Sequence, residues 1–161
     1  MNADGRDRGG AEPKPAETAR RLVLGQHREL RRLLTMGLIE ARHALSESAV
    51  AHEPLRSLVS LIQEVFVRHL ADEEALIVPI LEDDRPVGPQ RVVALREEHQ
   101  RQRAELEALC AWPEEASDVE LANRFDGLAK ALLEDIAHEE RELLIPEVIR
   151  DDHVVLDQSD G

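Results

Sequence analysis

The chain has one cysteine, no tyrosine and few aromatic residues of any kind. Its only cysteine is Cys110, which excludes an intramolecular disulfide and a zinc site built from cysteines. The absence of tyrosine excludes a tyrosyl radical cofactor. Aromatic residues make up 2% of the 161 residues, whereas Leu, Ala, Glu and Arg are common, so the composition favours helices over sheets.

Basic residues are in the minority. The chain has 20 Lys and Arg against 34 Asp and Glu, which gives a formal net charge of −14. A nucleic acid or an anionic membrane as partner would require clustered Lys and Arg, and no such cluster dominates. No apolar run reaches membrane-spanning length, and the N-terminus has no signal-like hydrophobic core, so we expect a cytoplasmic protein.

The length is that of one domain that can bury a core of its own. Residues 1–16 combine glycine and proline with charges and predict a disordered leader, and residues 151–161 predict a polar tail. The folded domain is therefore expected over residues 17–150.

Within that domain, apolar residues recur every 3.6 residues. The pattern predicts four helices, at 17–46, 54–82, 89–110 and 118–145. Pro54 and Pro89 stand at first-turn positions, and Ser117 begins a capping box. Because the connections are short, we expect an all-α, up-down-up-down antiparallel four-helix bundle.

Two similar segments hold candidate metal ligands. His69 and Glu73 lie four residues apart in the sequence HLADEE, and this spacing puts both on one face of a helix. A related sequence, DIAHEE, occupies residues 135–140. A histidine in the preceding helix, His27 or His99, comes before each segment, and two hairpins that bring ligands to one interior typically build a dinuclear metal site.

A helical wheel places His27, His69, Glu73 and His99 on the apolar faces. Each buried polar group without a partner costs roughly 1–3 kcal/mol, so something must satisfy all four. One such histidine is more often a hydrogen-bonded core residue, but the repetition in two hairpins favours metal binding. Imidazole and carboxylate without thiolate suit iron, manganese or zinc, and a bridging glutamate offsets the repulsion between two cations.

These segments resemble the hemerythrin-like family of HHE cation-binding domains over roughly residues 20–150. The resemblance rests on the H-x-x-L sequence at His27, the H-x-x-x-E-E-x-x-L/I-x-P sequence that begins at His69, and the E-H pair at His99. It implies a bundle around a non-haem centre of two iron ions, with histidines as terminal ligands and carboxylates as bridges. It also implies that His27, His69, Glu73 and His99 are ligands, and that O₂, NO or peroxide binds at an open iron position.

The fourth predicted helix departs from the family pattern, which has a histidine four residues before the second bridging carboxylate. Alignment of the two segments puts Asp135 at that histidine position and Glu139 at the carboxylate, whereas His138 and Glu142 restore the spacing in another register. A regular helix turns His138 about 160° from the core and favours Asp135 and Glu139.

A π-bulge would instead turn His138 inward. Pro146 follows Asp135 by eleven residues, whereas Pro79 follows His69 by ten, and a bulge inserts one residue. Both registers are open at this point. An aspartate in place of a histidine would favour the ferric form, peroxide chemistry or manganese.

The resemblance implies a protein that binds or turns over peroxide, O₂ or NO in a stress response. The alternatives are a regulatory or binding module with a degenerate metal site and an iron donor for the repair of iron–sulfur clusters. Ferritin-like oxidases pair E-x-x-H, which is not the spacing here. His43, His52 and His153 are expected in solvent, and Cys110 in packing.

Overall fold

The computed structural model describes residues 15–46, 53–83, 88–113 and 116–149, which form helices and turns with no strand among them. The helices are α1 (Pro15–Ser46), α2 (Glu53–Leu76), α3 (Val78–Asp83), α4 (Gly88–Cys110) and α5 (Asp118–Glu142). The predicted all-α fold is confirmed. Residues 1–14 of the predicted leader and the predicted tail lie outside the described residues, whereas Pro15 and Ala16 already belong to α1.

The second predicted helix is divided in two. A turn at Ile77 separates α2 from α3, although the N–H of Ile77 still bonds to the carbonyl of Glu73 at 2.8 Å. Pro79 explains the division, because it has no N–H to donate and its ring crowds the carbonyl four residues earlier. In the structure Pro79 is the second residue of α3, where a missing N–H costs little.

Local hydrogen bonds explain where α5 begins and ends. Ser117 is the N-cap, since its hydroxyl accepts a hydrogen bond from the N–H of Glu120 at 3.4 Å. The helix ends at Glu142, three residues before the predicted end. The N–H groups of Leu143 and Leu144 both donate to the carbonyl of Glu139 at 2.8 Å. The second of these bonds closes a turn that is one residue wider than an α-helical turn, just after the helix.

Two apolar clusters fill the interior. The larger includes Leu34, Ile62, Phe125 and Leu132 and joins α1, α2, α4 and α5. The smaller is built from α1, α3 and α4 with the segment after α5, and its most buried members are Val23, Ile77, Leu81 and Leu144. Each fully buried side chain of this kind contributes about 1.5–3 kcal/mol of transfer free energy.

The helices pack unevenly around these clusters. Helix α1 lies against α2 and α5, and α4 lies against α2 and α3. Helices α4 and α5 share a narrower interface, beside which a cleft of about 440 Å³ opens to solvent.

Candidate metal centre

A layer of buried polar side chains separates the two apolar clusters. Its members are Gln26, His27, His69, Glu73, His99, Gln102 and Glu139. On α1, His27 follows Val23 of the smaller cluster by one helical turn and precedes Leu30 of the larger cluster. The helical period that buries these apolar residues therefore also buries the imidazole between them.

Five of these side chains form two groups that share one carboxylate. The first group is His27, His69 and Glu139, and the second is Glu73, His99 and Glu139. Within each group, the potential ligand atoms all lie within 4.8 Å of one another. A carboxylate offers two oxygens, so Glu139 is able to face two cations at once.

Glu73 also lies between the two groups. Its Oε2 atom is 3.6 Å from Nε2 of His69, which belongs to the first group, and 3.4 Å from Nε2 of His99, which belongs to the second. Nε2 of His27 lies 3.2 Å from Oε2 of Glu139. Both carboxylates are thus placed where a ligand that bridges two cations would lie.

Several atoms of the layer are buried without a hydrogen-bond partner. They are Nε2 of His27, Nε2 of His99, both oxygens of Glu73 and Oε2 of Glu139. Native proteins leave few buried polar atoms unsatisfied, and each costs about 1–3 kcal/mol. Five such atoms within one small volume are the donor set that a cation or a pair of cations would satisfy.

The outer nitrogen of His27 is held by a second carboxylate. Nδ1 lies 3.1 Å from Oε1 of Glu140, and Arg31 donates to both oxygens of Glu140 at 2.6 and 2.8 Å. The Arg31 guanidinium lowers the pKa of Glu140, so this carboxylate is ionised and only accepts. Nδ1 therefore keeps its proton, and Nε2 faces the interior, where it could bind a cation.

Helix α4 repeats this arrangement. Nδ1 of His99 lies 2.9 Å from Oε1 of Glu74, and Nη2 of Arg103 donates to the same oxygen at 2.9 Å. Although burial opposes ionisation, the contacts with His99 and Arg103 lower the pKa of Glu74. Second carboxylates of this kind orient metal-bound histidines in proteins.

The third histidine is held by an amide. Nδ1 of His69 lies 3.3 Å from Oε1 of Gln26, whose Nε2 donates to Asp72 at 2.5 Å. The bond to Asp72 fixes which end of the amide faces His69, so this imidazole also directs Nε2 inward.

Burial and charge shift the pKa values in the layer. Burial raises the pKa of Glu139 to about 7; the contact with His27 opposes this, and the Glu73 carboxylate adds to it. Burial lowers the pKa of His69 to about 4, and Glu73 only partly offsets that effect. For His27 and His99, burial lowers the pKa but the nearby carboxylates outweigh it, so both values are raised.

The predicted residues of α5 have different positions. Glu139 is 5% exposed and belongs to both groups. Asp135 is half-buried, accepts a hydrogen bond from Nε2 of Gln102 and belongs to neither group. His138 and Glu142 are exposed along the cleft, because α5 is a continuous α-helix through Glu142.

The extra residue before Pro146 is accommodated after Glu139. The N–H of Leu144 reaches back five residues to the Glu139 carbonyl, which widens the chain at the end of the helix. The register that leads to Glu139 therefore stays regular, and His138 is not turned inward in this structure.

Sequence reasoning missed the outer residues of the layer. Glu74 and Glu140 are the second glutamates of the two Glu-Glu pairs, and each binds an arginine four residues after a histidine. The repeated H-x-x-x-R spacing, at His27 with Arg31 and at His99 with Arg103, was the available signal.

The remaining candidates lie away from the centre. His43 is exposed at the end of α1, while His52 and His153 lie outside the described residues. Cys110 is half-buried with its Sγ 3.8 Å from the carbonyl of Val59, and burial raises the pKa of its thiol. This is the environment of a packing residue.

Among the described helices, none is long and apolar enough to cross a membrane. The family model of the hemerythrin HHE cation-binding domain matches residues 18–145, which include both groups and all five helices except the first residues of α1. Neither the curated proteins nor the solved structures give a significant match. The chain therefore belongs to the hemerythrin HHE cation-binding domain family.

Proposed function

We propose that this protein holds two non-haem iron ions in an up-down-up-down bundle. In this proposal the first ion binds His27, His69 and Glu139, and the second binds Glu73, His99 and Glu139. Glu73 acts as a second bridge because its Oε2 also faces His69. The observation that supports the proposal is the convergence of five buried, unpartnered nitrogen and oxygen atoms in one layer.

The donor set is compatible with iron. Imidazole nitrogens and carboxylate oxygens suit iron, manganese and zinc, and the chain's one thiol, that of Cys110, packs against Val59 away from the layer. Two shared carboxylates offset the repulsion between two cations in a buried volume. Family membership makes iron the first choice, with manganese and zinc as the other metals that these donors accept.

Bound iron would supply redox chemistry and an open position for O₂, NO or peroxide. The protein's own residues prepare that position in two ways. Glu140 and Glu74 fix the orientation of His27 and His99, and the apolar clusters on either side shield the layer from bulk water except along the cleft between α4 and α5. We propose that the protein binds or turns over such a small oxidant in a cytoplasmic stress response.

A second candidate function follows from the asymmetry of the two groups. The first group contains two imidazoles, whereas the second contains only His99. A weaker second site favours a regulatory module that keeps one metal ion, or a donor that releases iron for the repair of iron–sulfur clusters. Iron content per chain separates these candidates from the di-iron protein.

The test is reconstitution of the metal-free protein with Fe(II) under anaerobic conditions, followed by desalting and iron analysis. We expect about two iron ions per chain and, after exposure to air, the near-ultraviolet absorption of a diferric centre. Glu73→Ala should lose at least one ion, whereas Glu64→Ala, an exposed glutamate on the same helix, should lose none. Retention of one ion by the wild type favours the second candidate, and retention of none contradicts the metal centre.

The oxidant step needs its own measurement. Hydrogen peroxide added to the reduced, iron-loaded protein should be consumed faster than by Glu73→Ala at equal total iron. Equal rates would mean that the oxidant reacts with iron outside the centre.

A further inference from the structure

The cleft between α4 and α5 leads from solvent to Glu139. We propose that it is the entry route for the divalent cations, and that Asp135 is the carboxylate that meets a cation before Glu139 does. This inference rests on the metal centre proposed above. It gives Asp135 a role in metal loading instead of the ligand role that the sequence favoured.

The cleft has the size and the charge for a hydrated cation. Its volume of about 440 Å³ is many times the roughly 30 Å³ that one water occupies in the liquid. The charged and titratable side chains along it are Arg91, Glu98, Asp135, His138, Glu139 and Glu142. Carboxylates outnumber basic groups there, and the rest of the wall is apolar, an arrangement that focuses the field on an approaching cation.

Asp135 differs from three other carboxylates near the centre, Glu74, Glu98 and Glu140, which are each paired with an arginine. The contact of the Asp135 side chain within the described part of the chain is with a neutral amide, that of Gln102. Its charge is therefore available to a passing cation.

Gln102 also places the carboxylates of the cleft. It is 3% exposed, and its amide nitrogen donates both to Asp135 and to Glu98, the latter at 2.9 Å. The two N–H donors of one amide are used on two carboxylates. Gln102 thus holds a pair of acidic groups side by side without adding a positive charge.

The inner end of the cleft is Glu139, a buried carboxylate with one unpartnered oxygen. Its side chain is 5% exposed, and the oxygen without a hydrogen-bond partner is Oε2. Asp135 precedes Glu139 by four residues on α5, so the two carboxylates lie on one face of the helix. A cation that leaves Asp135 next meets a carboxylate shared by both groups.

In the described part of the chain, the hairpin of α1 and α2 gives solvent no comparable access to the layer. In the alignment of the two segments His69 of α2 corresponds to Asp135 of α5, but His69 is only 1% exposed and contacts Gln26 and Phe66. The aspartate in place of a histidine therefore coincides with the open side of the centre.

The test measures the rate of iron uptake separately from the final iron content. Metal-free protein is mixed anaerobically with Fe(II) at low ionic strength, and the unbound iron is captured by a colorimetric chelator at set times. We expect Asp135→Asn to slow uptake by about tenfold with the same final content, because the asparagine removes the charge but keeps the shape. Glu107→Gln, which removes one exposed charge from α4 outside the cleft, is the matched control.

A steric variant tests the route independently of charge. Ala94 is exposed and lines the cleft, so Ala94→Trp should obstruct the route and slow uptake, whereas Ala104→Trp on the same helix should not. Circular dichroism confirms that each variant is folded.

The possible results of these uptake experiments distinguish the entry route, a ligand role for Asp135 and the metal centre itself. Unchanged rates in Asp135→Asn and Ala94→Trp would overturn the route. A lower final content in Asp135→Asn would overturn it in favour of Asp135 as a ligand. Wild-type protein that takes up no iron would contradict the metal centre itself, whereas failure of the route alone leaves the wild-type content intact.

Discussion

His27 and Glu140 are in contact across the interface of α1 and α5, with Nδ1 3.1 Å from Oε1. His99 and Glu74 repeat this contact between α4 and α2 at 2.9 Å. Each carboxylate follows directly in sequence a buried glutamate that faces the centre, so one Glu-Glu pair supplies both an inner oxygen and the group that orients a histidine on another helix. The inner and outer layers of the site are thus linked by the chain itself.

The outer carboxylates should control metal affinity. We expect Glu140→Gln and Glu74→Gln each to weaken iron binding by about 10–100-fold, because a neutral amide holds the imidazole less firmly and lowers its basicity. Competition with a chelator of known affinity measures the effect. Glu29→Gln, an exposed glutamate on α1, should bind as the wild type does, and unchanged affinity in the two variants would contradict an orienting role.

Helix α5 should contribute Glu139 and not His138. Glu139→Ala removes a carboxylate shared by both groups, so we expect it to lose most of its iron, while His138→Ala and Glu142→Ala keep theirs because both side chains are exposed. Iron analysis after desalting decides between them. The reverse result would mean that α5 shifts its register when metal binds, and equal contents in all variants would mean that α5 supplies no essential ligand.

The sequence predicted the inward residues well because the helical period is a strong constraint. His27, His69, Glu73 and His99 were placed on the core faces, and all four are buried. For Glu139 the helical period alone was not enough, since two registers stayed open for the fourth predicted helix. Its burial depends on how closely α5 packs against α1, which is a tertiary property.

The orienting contacts could not be predicted in the same way. The pairing of Glu140 with Arg31 and His27 joins residues more than one hundred positions apart, so the local pattern says nothing about it. The division of the second helix at Ile77 was predictable in principle from Pro79, whose ring disfavours a continuous helix. The widening after Glu139 was anticipated as one extra residue but not at its position at the end of the helix.

Metal binding should stabilise the bundle. Five buried nitrogen and oxygen atoms of the layer make no hydrogen bond in the structure, and a cation that binds only the folded state would satisfy them. At a free metal concentration of 100 times Kd, the gain in the free energy of unfolding is about 2.7 kcal/mol, which corresponds to several degrees in Tm for a chain of this size. Differential scanning calorimetry with and without a chelator checks this, and identical melting curves would count against a stabilising metal.

Stability in the larger apolar cluster should depend on the glycine that faces Phe125. A Cβ added to Gly37 would lie 2.6 Å from Cε1 of the Phe125 ring and closer still to Cζ, and this ring is fully buried. In an open helical position, Gly→Ala stabilises by roughly 0.5–1 kcal/mol. At Gly37 the overpacking costs about 1–3 kcal/mol, so we expect a net decrease in the free energy of unfolding.

Gly127→Ala on α5 is the matched control, because its Cβ would meet nothing within 4 Å. Urea unfolding of the two metal-free variants should therefore shift the midpoint in opposite directions, lower for Gly37→Ala and higher for Gly127→Ala. A midpoint for Gly37→Ala at or above that of the wild type would mean that the ring has room to move and that α1 and α5 do not pack as closely there as the structure has them.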